Sequence, residues 1–299
     1  MRVFLTGATG FIGSALIPEL LQHGHSVLGY ARSDAGAEAL RQLGADVHRG
    51  DLEDLDALRR GATQADGVVH CGFIHDFSKF AENCAIDGRA IDTLADALAG
   101  SGKPLVVTAG IPGMPGRITT EDDELPADHP MPRVSEQRAL AAAARGVRAT
   151  VVRLPQVHDR DKSGLVPFLI AAARQKGVSA YVGEGQNRWA AAHRFATPSL
   201  YRLALEKGLA GARFHAVEEE GITLKAIAEA IGRGLKVPVI SVSGNEAAAH
   251  FGTLGFFATM SNPASSAFTR ARLGWNPGTH PGLIDDLDHA NEFARKTPA

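Results

Sequence analysis

The sequence predicts a doubly wound α/β fold, a parallel sheet covered on both faces, followed by a smaller mixed α/β C-terminal lobe. Three observations carry this. Short apolar runs alternate with amphipathic stretches through the first half of the chain. Those runs are apolar throughout rather than on every second residue, the pattern of strands buried on both faces. The 299 residues suffice for one large domain or two smaller ones, with a core that needs no disulfide staples.

The elements follow in order. Residues 2–6 (RVFLT) form a first strand, and 7–13 a glycine-rich turn. Residues 11–23 carry a helical pattern, interrupted in principle by Pro18. Strands are expected at 26–31, 46–49, 67–71, 104–108 and 148–153, with helices at 35–43, 55–60, 80–99 and 135–145 between them. Right-handed crossovers between such strands give the doubly wound arrangement. Beyond Pro155 the pattern changes. Helices are expected at 164–176, 198–207, 224–232 and 268–275, and strands at 180–182, 214–217 and 237–242. We divide the chain into a nucleotide-binding domain, 1–155, and a substrate lobe, 156–299, with segments of about 189–217 returning to the first sheet. Residues 110–132 and 158–164 read as loops, and loops of such length are often functional.

Composition excludes several classes of function. The net charge of −2, with no long basic run, argues against nucleic-acid binding. Two cysteines, Cys71 and Cys84, allow neither a disulfide framework nor a four-cysteine metal site. No apolar run reaches membrane-spanning length, and no secretory signal opens the chain. A cytoplasmic protein acting on a small molecule is expected.

The most informative residues are Thr6-Gly7-Ala8-Thr9-Gly10-Phe11-Ile12-Gly13, between the first strand and the first helix. Gly7 permits a tight turn, Gly10 lets backbone approach a pyrophosphate, and Gly13 lets the helix pack on the sheet. Free N–H groups at the helix start then hold the phosphate charge. This predicts a Rossmann-type dinucleotide site.

The G-x-x-G-x-x-G spacing resembles that of the extended and atypical short-chain dehydrogenase/reductases, which include NAD-dependent epimerases and dehydratases. Gly50-Asp51-Leu52 resembles that superfamily's adenine-contacting turn, and Val68-Val69-His70-Cys71-Gly72 its stretch beneath the cofactor. The segment from Arg153 to His158, with Pro155 and Val157, resembles the one near the nicotinamide. Leu273-Gly274-Trp275-Asn276-Pro277 resembles the C-terminal LGW-x-P. The resemblance implies that Gly7, Thr9, Gly10, Phe11, Ile12, Gly13, Asp51, Leu52, Cys71, Gly72, Phe73, Thr108, Pro155 and Val157 touch the cofactor. It also implies a homodimer formed through the helices at 80–99 and 135–145.

The end of the second strand reads Arg32-Ser33-Asp34. Arg32 and Ser33 suit the 2′-phosphate of NADPH, whereas Asp34 could accept from a ribose or cap a helix. NADPH is favoured over NADH. The catalytic pattern departs from the superfamily. None of the tyrosines has Lys four residues later, and the Tyr and Lys positions hold Arg133 and Gln137. Thr108 is the candidate to hold a substrate oxygen, and His158, or water, the candidate proton donor. His193, Arg194 and Arg133 are further candidates. Glu121-Asp122-Asp123-Glu124 reads as a solvated acidic face, and Phe251, Phe256, Phe257 and Trp189 as core or as an apolar pocket wall. His70, Cys71 and His75 are not read as a metal site, because adjacent strand residues point to opposite faces. The leading function is an NADPH-dependent reductase of a carbonyl or related C=X group on a small organic molecule. The alternatives are an NAD-dependent nucleotide-sugar epimerase or dehydratase and a non-catalytic NAD(P)-binding sensor or scaffold.

Overall fold

The computed structural model describes residues 1–125, 131–252 and 255–294. Part of the expected loop at 110–132, residues 126–130, lies outside the described residues. The first half alternates as β1 (Arg2–Thr6), α1 (Gly13–Gln22), β2 (Ser26–Ala31), α2 (Asp34–Gln42), β3 (Asp46–Arg49), α3 (Leu55–Thr63) and β4 (Gly67–His70). It continues as α4 (Phe80–Leu98), β5 (Pro104–Gly110), α5 (Ser135–Ala143) and β6 (Arg148–Leu154).

These strands and β11 (Arg213–His215) form a parallel seven-stranded sheet in the order β11-β6-β5-β4-β1-β2-β3. The fold is Rossmann-like. The order reverses beside β1, which pairs with β2 on one side and β4 on the other. Ligands bind such sheets at that reversal, beyond the carboxyl ends of the strands. Leu16, Ile17 and Leu20 of α1 are fully buried on one face, with Leu200 and Tyr201. Leu58 of α3 and Ile91, Leu94 and Ala95 of α4 are fully buried on the other. Helix α1 runs through Pro18; its buried apolar face compensates for the backbone bond that Pro cannot donate.

The second half adds β7 (Gln156–Asp159), β8 (Lys162–Ser163), α6 (Val166–Lys176), β9 (Ser179–Val182), β10 (Arg188–His193), α7 (Thr197–Lys207), β12 (Glu219–Thr223), α8 (Leu224–Leu235) and β13 (Val239–Val242). A second sheet runs β12-β10-β7-β8, and β13 pairs with β9. Within 189–217, Arg213–His215 joins the large sheet while Arg188–His193 joins the second. The expected loop at 158–164 is instead part of the antiparallel β7–β8 pair. A separate core gathers Ile170, Trp189, Leu224, Ile227 and Leu283. Among the described residues no helix is long and apolar enough to cross a membrane.

The acidic cluster is a correction in part: Asp122 and Glu124 are exposed, as a solvated face would be, but Glu121 and Asp123 turn inward. Glu121 is buried and accepts from the backbone N–H and hydroxyl of Thr269. Asp123 pairs with Arg117 and Glu124 with Arg213. The fully buried Arg153 holds this stretch to β6. It makes a two-pronged contact with Glu136, at 2.7 Å on each oxygen, and donates to the Asp123 carbonyl. Arg153 is thus an internal tie between β6, α5 and the 117–125 segment.

Candidate active site

The glycine turn opens a cleft of about 1290 Å³ at the carboxyl edge of the sheet. Gly7 has φ +66, and a Cβ there would lie 2.6 Å from the Cys71 carbonyl carbon. A Cβ on Gly10 would lie 2.9 Å, and one on Gly13 2.2 Å, from the Gly7 carbonyl oxygen. All three positions therefore exclude a side chain. Helix α1 starts without a side-chain cap or an acid in its first turn. The Ser14 and Ala15 N–H groups donate to the Gly10 and Ile12 carbonyls, and the N–H groups of Phe11, Ile12 and Gly13, unpartnered among the described residues, are left for an anion. Arg194 braces the turn from behind, donating to the Phe11 carbonyl at 2.7 Å and to Ser14 Oγ at 2.8 Å. This cradle fits a dinucleotide pyrophosphate.

Gly7, Thr9, Gly10, Phe11, Ile12 and Gly13 line the cleft, as do Arg32, Asp51, Leu52, Cys71, Gly72, Phe73, Thr108, Pro155 and Val157. Ser33 does not; its hydroxyl oxygen caps α2, accepting from Gly36 N. At the outer end, the Tyr30 hydroxyl donates to the Asp51 carbonyl at 2.6 Å and fixes the turn after β3. Asp34 pairs with Arg49 at 3.0 Å. Among the described residues the Arg32 guanidinium pairs with no carboxylate. Arg49 is a second cation at this rim that the sequence reading missed, because only pairing of β2 with β3 brings Arg49 beside Ala31.

A buried hydrogen-bond chain crosses the base of the cleft. Thr6 Oγ1 accepts from Gly72 N and donates to His70 Nδ1 at 2.7 Å. His70 Nε2 then donates to Asp87 Oδ1 at 3.1 Å. Ser135 donates to Asp87 Oδ2 at 2.5 Å, and Arg133 Nε donates to Ser135 Oγ at 2.9 Å. Arg133 also reaches the Thr108 carbonyl at 3.3 Å and lies 4.3 Å over the Phe73 ring. Burial would push the Asp87 carboxyl up, but His70, Arg133 and Ser135 together hold it below the usual carboxylate range. It is therefore an anion at neutral pH. Arg133 and Gln137, at the expected Tyr and Lys positions, both line the cleft.

Thr108 and His158 require correction. Thr108 faces the cleft, but its hydroxyl donates to the His70 carbonyl at 2.8 Å. The Tyr201 hydroxyl, 2.8 Å away, then donates to Thr108. Thr108 has no hydrogen left to polarise a carbonyl. His158 is fully buried outside the cleft lining, with Nδ1 2.8 Å from Asp286 Oδ2, and cannot reach a substrate there. His193 and Arg194 also lie off the cleft lining.

Tyr201 lines the cleft although wholly buried, and burial pushes its hydroxyl well above the usual tyrosine range. It is a neutral prop for Thr108. Cys71 beside it is likewise raised by burial, to about 11, so it stays a thiol. His75 opens into the cleft, its ring lowered by burial and by Lys162 and Arg133. Among the described residues no cluster could hold a metal ion.

The remaining end of the cleft is apolar. Phe256 and Phe257 line it, whereas Trp189 is core and Phe251 packs against the second-lobe core. The model of the NAD-dependent epimerase/dehydratase family matches residues 3–208. The chain belongs to this family. It is 47% identical over 291 residues to an uncharacterized protein of Schizosaccharomyces pombe, covering 96% of this chain and 98% of that one. A farnesyl-dihydroquinoline-oxide ketoreductase of Stigmatella aurantiaca is 24% identical over 84% of this chain and 80% of its own. Among solved structures, dTDP-glucose 4,6-dehydratase of Streptomyces venezuelae with NAD bound superposes with a TM-score of 0.75. It is 19% identical over 98% of this chain and 96% of that one. This epimerase/dehydratase-family member thus combines the family's nucleotide cradle with Arg133 where its resemblance to the superfamily places tyrosine.

Proposed function

We propose that this chain is an NADPH-dependent reductase of a carbonyl or related C=X group on a small organic substrate. The observation that carries it is Arg133, a fixed guanidinium inside the cleft at the tyrosine position, with no Tyr-Lys pair to oxidise an alcohol. The ketoreductase relative supports the same reading. A nicotinamide bound along the glycine turn supplies the hydride. The residues in its reach are Gly10, Gly13 and the α1 N–H groups for the pyrophosphate, Asp51 for the adenine end and Arg32 for the 2′-phosphate. Arg133, whose Nη1 has no partner among the described residues, stabilises the oxygen that becomes negative as the carbonyl is reduced. Water returns the proton, because the lowered His75 ring is neutral at neutral pH.

The pairing of Asp34 with Arg49, with Arg32 left unpaired, supports NADPH over NADH. Arg32→Ala is expected to weaken NADPH by roughly ten- to a hundredfold, the value of a charged hydrogen bond, and to leave NADH unchanged. Calorimetric titration of wild type and variant with both cofactors tests this. Equal loss for both would remove the phosphate assignment. NADPH consumption with a carbonyl panel tests the reaction. Tightly co-purified NAD with no net consumption would favour the epimerase or dehydratase alternative. Cofactor binding without turnover of any carbonyl or imine would favour a sensor or scaffold.

A further inference from the structure

Part of the cleft is walled by phenylalanines from three separate stretches of chain. Phe73 and Phe77 come from the connection after β4, Phe80 from the start of α4, Phe168 from α6, and Phe257 from the helix Gly255–Thr259. Phe77 is the hub. Its ring stacks on Phe80 at 5.7 Å and meets Phe168 edge-on at 5.5 Å and Phe257 at 6.5 Å. Phe73 meets Phe80 at 6.2 Å. Rings drawn from both lobes converge, and Phe168 remains 39% exposed.

The polar neighbours of this wall are committed or closed off. Asn262 lines the cleft but is 5% exposed, and its Oδ1 is shut away from solvent. The carboxylate of Glu136 is committed to Arg153 and Arg213, and Asp51 and Glu53 lie at the adenine end.

We infer that the substrate is a flat aromatic carbonyl compound, its ring held by the phenylalanine cage. This rests on the reductase reading for the carbonyl and on the cage for the ring. Rings of edge-to-face geometry favour a planar guest over a saturated one of equal size. A nucleotide sugar, with its pyrophosphate and polyol, has no counterpart in such a wall.

The test is calorimetric binding to the NADP⁺-saturated protein, in which a ketone is not consumed. Acetophenone is compared with cyclohexyl methyl ketone. Acetophenone is expected to bind about tenfold tighter than the saturated ketone. Phe77→Ala should erase that preference, and so should Phe168→Ala, a rim variant that spares the interior. Equal binding of the two ketones, or a ring preference that survives in both variants, would overturn the inference. The two readings separate cleanly. The expected binding pattern with no consumption of NADPH or NADH removes the reductase and upholds the ligand class. Reduction of aliphatic ketones with no ring preference upholds the reductase and overturns the ligand class.

Discussion

Arg133 owes part of its place to a carboxylate that lies outside the cleft lining. Asp87 is 1% exposed, and its charge is transmitted to the guanidinium through Ser135. Arg133→Met is expected to lower kcat with a carbonyl substrate by about a hundredfold, the loss typical of a removed oxyanion donor, while cofactor affinity changes little. Asp87→Asn should lower kcat by a smaller factor, and the double variant should be no slower than Arg133→Met alone; steady-state kinetics in a double-mutant cycle checks this. Thr108→Val should cost far less than Arg133→Met, because the threonine hydroxyl is spent on the His70 carbonyl. The strand-end position of Thr108 was legible in the sequence. The direction of its hydroxyl was not, because the partner Tyr201 comes from 93 residues further along.

At the level of elements, the β1–α1 turn was legible because its glycine pattern lies within seven residues. Gly10 and Gly13 answer a local clash with the Gly7 carbonyl, whereas Gly7 also makes room for the Cys71 backbone after β4. Gly10→Ala is expected to weaken cofactor binding at least about tenfold and to lower Tm as its Cβ presses on the Gly7 carbonyl, whereas Gly7→Ala, at positive φ against the Cys71 backbone, should destabilise the fold more, by about 2 kcal/mol or more. Thermal unfolding with and without cofactor separates the two. The seam between β11 and the chain before the helix Ala267–Leu273 was not legible. There His215 Nδ1 donates to the Ser265 carbonyl at 2.8 Å, and Nε2 accepts from Arg153 at 3.1 Å. Both bonds require the neutral ring, and burial, reinforced by Arg153, lowers it to about 4. The unfolded chain takes up this proton near the ordinary histidine value, about 6.5, and the folded chain only near 4. Stability therefore falls as pH drops across that window, by roughly 3 kcal/mol, and levels off below it. Denaturant unfolding between those limits should show the slope, and His215→Asn should flatten it.

Over the whole molecule, cofactor and fold are linked. A cofactor that binds only the folded chain should stabilise it by about 2.7 kcal/mol at a hundredfold excess over Kd. A rise in Tm with NADPH larger than with NADH at equal concentration would support the preference argued from Arg32. The alternation of buried strands and amphipathic helices determined the Rossmann-like first half, and the glycine spacing determined where the chain forms a cradle that fits a dinucleotide. Both are properties of short windows, where periodicity and backbone sterics act without reference to the rest of the chain. Tertiary structure alone decided which polar groups face the cleft and which are consumed inside the protein. It turned His158 toward Asp286, closed the acidic cluster onto Arg153, Arg213 and Thr269, and brought phenylalanines from both lobes around one cavity. Hydrogen-bond partners and cavity walls come from residues far apart in sequence, so local patterns carry no record of them.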